Sequence, residues 1–262
     1  MKKTRYLILF FIFQCCFICA YTQNANDIFV DANKLYNEKK YDDAIKKYNE
    51  LLKNGYTNSP EVYYNLGNAY FRANNASNAI WCYEKCLLLD ASHKDARINL
   101  EFVNKTALGV GYIVPDNFFK STWKSIYSLF SWKSWTYAVL VLIILFLTSA
   151  FLFFFSVSNI NRKLLFSASV VFLVLFLFAL SQGIYGKYNI NHSNFAIVVN
   201  EPAQLKSAPD SSGNVLSMIQ PGFKLKISEY KSPWIKILTP DGTQGWLLET
   251  DVLRLNEISP EE

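Results

Sequence analysis

Two long apolar stretches constrain this chain more than any other feature. Residues 136–157 and 164–185 consist largely of Val, Leu, Ile and Phe, and neither stretch contains a charged side chain. About 20 apolar residues suffice for a helix to cross a bilayer. The intervening residues, 158–163, are few, so the sequence predicts a hairpin of two transmembrane helices. Because ion and proton pathways usually need an ionisable residue inside a span, we expect an anchor rather than a transporter.

The N-terminus has the pattern of an export signal. Lys2, Lys3 and Arg5 precede an apolar run over residues 6–20, and a polar segment follows Ala20. A basic start, a short apolar run and a small residue are typical of a secretory signal peptide, which we place at residues 1–22. An uncleaved anchor stays open as the alternative, because the residues around Ala20 do not form a clean small-x-small pair.

Charge along the chain bears on topology. Arg162 and Lys163 lie in the short hairpin loop, which favours a cytoplasmic loop and, with an exported N-terminus, soluble domains in the periplasm of a bacterial inner membrane. Four lysines on the other side of the hairpin favour the opposite orientation: Lys120, Lys124, Lys133 and Lys187. The excess positive charge lies in these apolar segments and their flanks, so the pattern indicates the lipid bilayer and not nucleic acid as a partner.

A predicted linker over residues 107–135 explains part of the disagreement between these two sets of basic residues about topology. An apolar helical face is predicted here, formed by Phe119, Trp123, Ile126, Tyr127 and Phe130. The pattern favours an amphipathic helix in the membrane interface whose lysines reach lipid headgroups.

Residues 26–106 contain an internal repeat. Ala44 and Ala79 stand 35 positions apart, as do Tyr48 and Tyr83. The second copy resembles the tetratricopeptide repeat at these positions: Tyr63, Leu66, Gly67, Tyr70, Ala79, Tyr83 and Asp90. The resemblance implies an α-helical domain of two repeats, and we expect residues 94–106 to cap it. Such helix pairs need stacking to bury their apolar faces.

By the same resemblance, the first helix of each repeat lines a groove that binds extended peptides or partner helices. The positions that this selects are Phe29, Asn33, Tyr36, Tyr64, Asn68, Phe71 and Arg72. The resemblance implies that Asn33 and Asn68 hydrogen-bond a ligand backbone. The alternative is that all of these are ordinary solvated or stacking residues.

Residues 194–256 change to short alternating runs with turn signals, which predict strands. Asp241-Gly242 is a strong hairpin signal. The spacing of Pro221-Gly222, Trp234, Asp241-Gly242 and Gly245-Trp246 resembles the bacterial SH3-type domain, which implies a small all-β SH3-like barrel. Such domains bind peptides or the peptide stems of the cell wall, and the candidate contacts here are Tyr230, Trp234 and Trp246. Alternatively, both tryptophans belong to the core.

The sequence offers no catalytic centre. His93 and His192 are the only histidines, and no nucleophile elbow, phosphate loop or metal-ligand spacing is present. We therefore expect no enzyme activity, no cofactor and no metal. Cys82 and Cys86 lie four apart on one predicted helix, a geometry that strains a disulfide, so we expect free thiols packed in a helical core.

The order of signal, repeats, membrane hairpin and SH3-like domain resembles the BatE family of the Bacteroides aerotolerance operon. The resemblance implies membrane proteins with von Willebrand A domains as partners, and a complex with a MoxR-type ATPase. Two binding functions follow as hypotheses. One is a membrane-anchored scaffold that holds protein partners through the repeats. The other is a tether that binds peptidoglycan through the SH3-like domain.

Overall fold

A computed structural model describes residues 26–107, 118–199, 201–239 and 242–258. The predicted signal peptide and part of the predicted linker lie outside these residues. The described chain forms a helical unit, a hairpin of two long apolar helices with one short preceding helix, and a separate antiparallel sheet.

The helical unit consists of five consecutive helices. They are α1 (residues 26–37), α2 (Tyr41–Lys53), α3 (Pro60–Arg72), α4 (Ala76–Leu89) and α5 (Lys94–Ala107). Lys39 and Asn74 occupy the turns after α1 and α3, and both adopt a positive φ, of 62° and 61°. The Asn75 side chain caps α4 by accepting a hydrogen bond from the Asn78 backbone N–H at 3.1 Å. The turn geometry therefore recurs at the 35-residue spacing seen in the sequence.

Aromatic side chains fill the space between these helices. Tyr48, Tyr63, Trp81 and Tyr83 are essentially inaccessible to solvent. A Cβ atom at Gly67 would lie 2.8 Å from the Tyr83 ring, so a residue without a side chain is what lets α3 approach α4. The thiols of Cys82 and Cys86 are buried and unbonded, and burial raises the pKa of both.

Two helices are long and apolar enough to cross a membrane: α7 (Trp132–Phe155) and α8 (Asn159–Asn191). Only 6% and 11% of their most apolar windows are buried, so their apolar surface faces outward rather than into a protein core. The hydroxyls of Ser149 and Ser169 join them at 2.9 Å in the buried seam.

A short helix, α6 (Phe118–Tyr127), precedes the hairpin. Its Trp123 ring lies 5.9 Å from that of Phe178 on α8, and Tyr127 is 5% exposed. A Cβ atom at Gly186 would come within 2.6 Å of the Tyr127 hydroxyl. The predicted apolar face of this segment thus packs at least partly on α8. The side chains of Phe119, Lys120 and Lys124 lie outside the described part.

Seven strands form the sheet: β1 (Phe195–Val198), β2 (Ala203–Lys206), β3 (Val215–Ile219), β4 (Lys224–Lys231), β5 (Trp234–Leu238), β6 (Gln244–Leu248) and β7 (Val252–Arg254). Their order is β3-β2-β6-β5-β4-β1-β7, and every pairing is antiparallel. The sheet is open, with β3 and β7 as its edges. The predicted all-β C-terminal unit is therefore present as an antiparallel sheet of seven strands.

The sheet has its own core and also contributes to that of the helices. Leu205, Leu225, Ile235 and Leu247 are fully buried in the sheet's cluster. Ile197, Leu253 and Leu255 instead join the cluster of the helical unit. The sheet therefore docks on the helical unit through apolar side chains at the β1–β7 edge.

Candidate partner-binding sites

Two asparagines of the predicted groove take equivalent positions in successive helix pairs. The Asn33 Oδ1 atom accepts hydrogen bonds from the Tyr48 hydroxyl at 2.7 Å and from Asn65 Nδ2 at 3.2 Å. The Asn68 Oδ1 atom accepts from the Tyr83 hydroxyl at 2.7 Å and from Asn99 Nδ2 at 2.8 Å. These four asparagines, which we call the Asn ladder (Asn33, Asn65, Asn68, Asn99), connect α1, α3 and α5.

The ladder leaves the amide N–H groups of Asn33 and Asn68 available to a ligand. Both Oδ1 atoms of Asn33 and Asn68 accept two bonds, whereas their Nδ2 atoms donate none to any residue that the structure describes. Both side chains are only half-buried. An amide N–H at a partly exposed position can donate to a carbonyl oxygen of a bound peptide.

The tyrosines that support the ladder stay protonated. Burial raises the pKa of Tyr48 and of Tyr83 well above its ordinary value. Each phenol therefore remains a hydrogen-bond donor over the physiological pH range, so the orientation of the Asn33 and Asn68 amides does not change with pH.

The aromatic members of the predicted groove are spread along the same helices. Phe29 lies 6.2 Å from Tyr48, Tyr36 lies 5.5 Å from Tyr41, and Phe71 lies 5.8 Å from Phe102, centroid to centroid. Tyr64 contacts two rings, Tyr83 at 6.2 Å and His93 at 4.8 Å. Phe29, Tyr36, Tyr64 and Phe71 are half-buried, whereas Arg72 is exposed.

Helix α5 adds apolar surface next to these positions. Phe102 and Ile98 share one face of α5, being four residues apart, and are 55% and 61% exposed. Phe102 packs its edge on Phe71. An apolar rim of this kind fits the side chains of a bound peptide or helix.

Sequence reasoning missed Asn65, Asn99 and Phe102. A signal for the two asparagines was present, because Asn99-Leu100 repeats Asn65-Leu66 at a spacing of 34 residues. The exposure of Phe102 depends on which helix packs against α5, which the sequence pattern does not specify.

The second candidate site is an open pocket of about 510 Å³ in the sheet. Trp234 lines it, together with Glu201, Gln204, Lys206, Leu248 and Asp251. The Lys206 ammonium lies 5.5 Å from the centre of the Trp234 ring. The walls thus combine one aromatic ring with carboxylates and one cation, and they can accommodate a short polar ligand that carries both signs of charge.

The pKa of Asp251 is raised, chiefly because burial disfavours its ionised form. A hydrogen bond from the Thr250 side chain opposes this shift. A cationic group that enters the pocket would be attracted by the carboxylates of Glu201 and Asp251, which line it.

The three sequence-predicted contacts of the sheet do not share this pocket. Trp234 lines it, whereas Trp246 is 9% exposed and lies under the Lys236 ammonium. Tyr230 is exposed, and its hydroxyl donates to Glu249 Oε2 at 2.7 Å. The pocket's other members come from chain segments far apart in sequence, which is why the sequence pattern did not reveal them.

No model of a known protein family matches this chain, and a search of curated proteins gives no match.

Proposed function

We propose that the protein is a membrane-anchored adaptor that binds an extended segment of a partner protein on the helical unit. The observation that carries the proposal is the Asn ladder, in which the uncommitted amide donors of Asn33 and Asn68 recur at a 35-residue spacing. An extended backbone carries carbonyl acceptors along its whole length, and these two amides can donate to them. The exposed Phe102 and Ile98 supply apolar contacts beside them.

Reading the helical unit as tetratricopeptide repeats agrees with this proposal. The equivalent Tyr-to-Asn hydrogen bonds and the equivalent positive-φ turns support a structural repeat. On this reading α5 is the capping helix. The open sheet, with its pocket beside Trp234, is then the SH3-like unit of the sequence prediction.

The proposed location is the bacterial inner membrane, with both soluble units in the periplasm. The support is Arg162 and Lys163, which lie near the start of α8 at the closed end of the hairpin, because basic residues at the ends of membrane spans tend to remain in the cytoplasm. We further propose, from the resemblance to the BatE family, that the partners are membrane proteins with von Willebrand A domains acting with a MoxR-type ATPase. No catalysis is proposed for this chain.

The experiment uses Asn68→Asp, which keeps an acceptor for Tyr83 and Asn99 and removes the amide donor. The full-length protein is crosslinked in intact cells and purified from membranes, and the captured proteins are identified. We expect wild type and the control variant Asn58→Asp, which adds a charge at an exposed position, to capture von Willebrand A-type proteins. Asn68→Asp should capture at least fivefold less at equal expression. Equal capture by both variants would refute the proposal that the partner binds in the groove.

A second candidate function is supported by the sheet pocket: binding of cell-wall peptides at Trp234. The full-length protein in detergent is pelleted with purified peptidoglycan. Trp234→Ala should release it, while Leu216→Ala, at an exposed β3 position, should not. Saturable binding that depends on Trp234, without protein capture in the first experiment, would make the tether the primary function.

A further inference from the structure

One stripe of polar side chains runs along α4 on the side that faces the sheet. Ser77, Trp81 and Lys85 are spaced four residues apart and therefore lie on one helical face. They are 8%, 0% and 8% exposed. A buried serine, indole and lysine on one stripe require hydrogen-bond partners, since an unpaired buried polar group is costly.

Those partners are backbone carbonyls of the sheet unit. The Ser77 hydroxyl donates to the Val199 carbonyl at 3.1 Å, and the Trp81 Nε1–H donates to the Arg254 carbonyl at 3.1 Å. The two further bonds come from the Lys85 ammonium, to Leu255 and Glu257, at 2.7 and 2.6 Å.

Helix α3 extends this arrangement by one residue. The Tyr63 hydroxyl donates to the Ile258 carbonyl at 2.9 Å. Four carbonyls between residues 254 and 258 are therefore each bound by a side chain of α3 or α4. We call residues 252–258 the C-terminal strap, and the surface formed by Tyr63, Trp81 and Lys85 the strap site.

Apolar burial and charge reinforce the hydrogen bonds. Leu253 and Leu255 of the strap are 9% and 2% exposed and belong to the core of the helical unit. The Lys85 ammonium lies 5.8 Å from the ring centres of both Tyr63 and Trp81. The strap site thus has features of a peptide site: donors for four neighbouring carbonyls, two aromatic rings, and an apolar core that takes up two leucines of the strap.

The strap site is distinct from the groove. Tyr83 supports the Asn ladder, and it lies two residues from both Trp81 and Lys85. At 100° per residue, the Tyr83 side chain therefore projects from roughly the opposite side of α4. A ligand in the groove and the strap on α4 contact different faces of the same helix.

We propose that the strap site is a second peptide-binding site, and that the chain's own C-terminal strap, a short strand followed by a turn at residues 255–256, occupies it. The strap closes the sheet on the helical unit and blocks this face to any other peptide segment. Because all of the bonds described here go to carbonyls, which every residue carries, recognition depends on the strand-and-turn backbone of the strap and on its leucines, Leu253 and Leu255. The proposal does not depend on the function of the groove.

The test separates the strap from its site. A variant that ends at Asp251, and therefore lacks the whole strap, is compared with the full chain, both in detergent. The probe is a fluorescein-labelled, C-terminally amidated peptide of residues 252–258, and binding is measured by anisotropy. We expect saturable binding to the shortened variant and at least tenfold weaker binding to the full chain, whose site is filled. In the shortened variant Lys85→Met should weaken binding at least tenfold, and Lys46→Met, at an exposed α2 position, should not.

Equal binding by the shortened and full chains would overturn the proposal, as would equal binding by the two lysine variants. Should the shortened variant fail to fold, the intact chain provides the second measurement. Trp81→Phe keeps an aromatic ring and removes the donor to Arg254. We expect carboxypeptidase to trim the C-terminus at least threefold faster in Trp81→Phe and Lys85→Met than in wild type. Unchanged trimming would overturn the proposal.

Discussion

Asn68 shows how one side chain serves both the fold and the proposed site. Its Oδ1 atom is the acceptor for Tyr83 and Asn99, and its Nδ2 atom is the donor offered to a ligand. Removing the whole side chain therefore changes two properties at once. A clean test of binding has to keep the acceptor.

Asn68→Ala should consequently destabilise the protein. The variant leaves the buried Tyr83 hydroxyl without its acceptor, which costs about 1–3 kcal/mol of unfolding free energy. Urea unfolding in detergent, followed by circular dichroism, measures the loss. Asn68→Asp should lose much less, because it retains an acceptor oxygen. Equal stability of Asn68→Ala and wild type would mean that the ladder does not support the helices.

Asp251 gives a pH-dependent prediction. Since burial raises its pKa in the folded protein above the ordinary value of 3.8, the folded state binds this proton more tightly than the unfolded state does. The contribution of Asp251 to stability therefore falls as pH rises from about 3.8 through the raised pKa. Asp251→Asn should flatten this part of the profile of melting temperature against pH. If melting temperature changed with pH equally in the variant and in wild type, the raised pKa of Asp251 would be contradicted.

At the scale of elements, α8 connects the apolar hairpin to the helical unit and to the sheet. It has 33 residues, so it is about 50 Å long at about 1.5 Å per residue. This exceeds the thickness of a bilayer core, which is about 30 Å. The C-terminal turns of α8 contact the rest of the protein, because Ile190 packs on the helical unit and Gly186 accommodates Tyr127 of α6.

The contact between α6 and α8 can be tested with two glycines. Gly186→Leu should push Tyr127 away, because even a Cβ atom there would lie 2.6 Å from the hydroxyl. Gly183→Leu is the matched control, since nothing lies within 4 Å of a Cβ atom at that position. We expect Gly186→Leu alone to lower the melting temperature in detergent by several degrees. Equal effects of the two substitutions would show that α6 does not dock through Gly186.

The sequence predicted the helices and strands better than it predicted the contacts between them. Uninterrupted apolar runs predicted α7 and α8, and alternation with Pro-Gly and Asp-Gly turns predicted strands near β1 to β7, since these signals are local. The strap was not predicted, because Trp81 and Lys85 meet residues some 170 positions later in the chain. The pocket beside Trp234 was not predicted for the same reason, since its lining residues Glu201 and Asp251 come from separate segments of the chain.

At the scale of the whole molecule, the helical unit, the sheet and the hairpin pack against one another. The strap and the Lys224–Glu84 ion pair, at 2.6 Å, fix the sheet on α4. Ile190 and α6 fix the same body on the hairpin. The helical unit, the sheet pocket and the apolar hairpin therefore keep a defined arrangement. This arrangement suits the proposed adaptor, which has to present a partner at a set distance from a membrane.

Site-specific photocrosslinking in intact cells can show whether the groove contacts a partner protein. A photoreactive phenylalanine analogue replaces Phe102 at the groove, and the same analogue replaces Asn58 as an exposed control. The adaptor account predicts ultraviolet-dependent adducts with von Willebrand A-type membrane proteins from position 102 and none from position 58. Absence of protein adducts from position 102, or equal adducts from both positions, would contradict it.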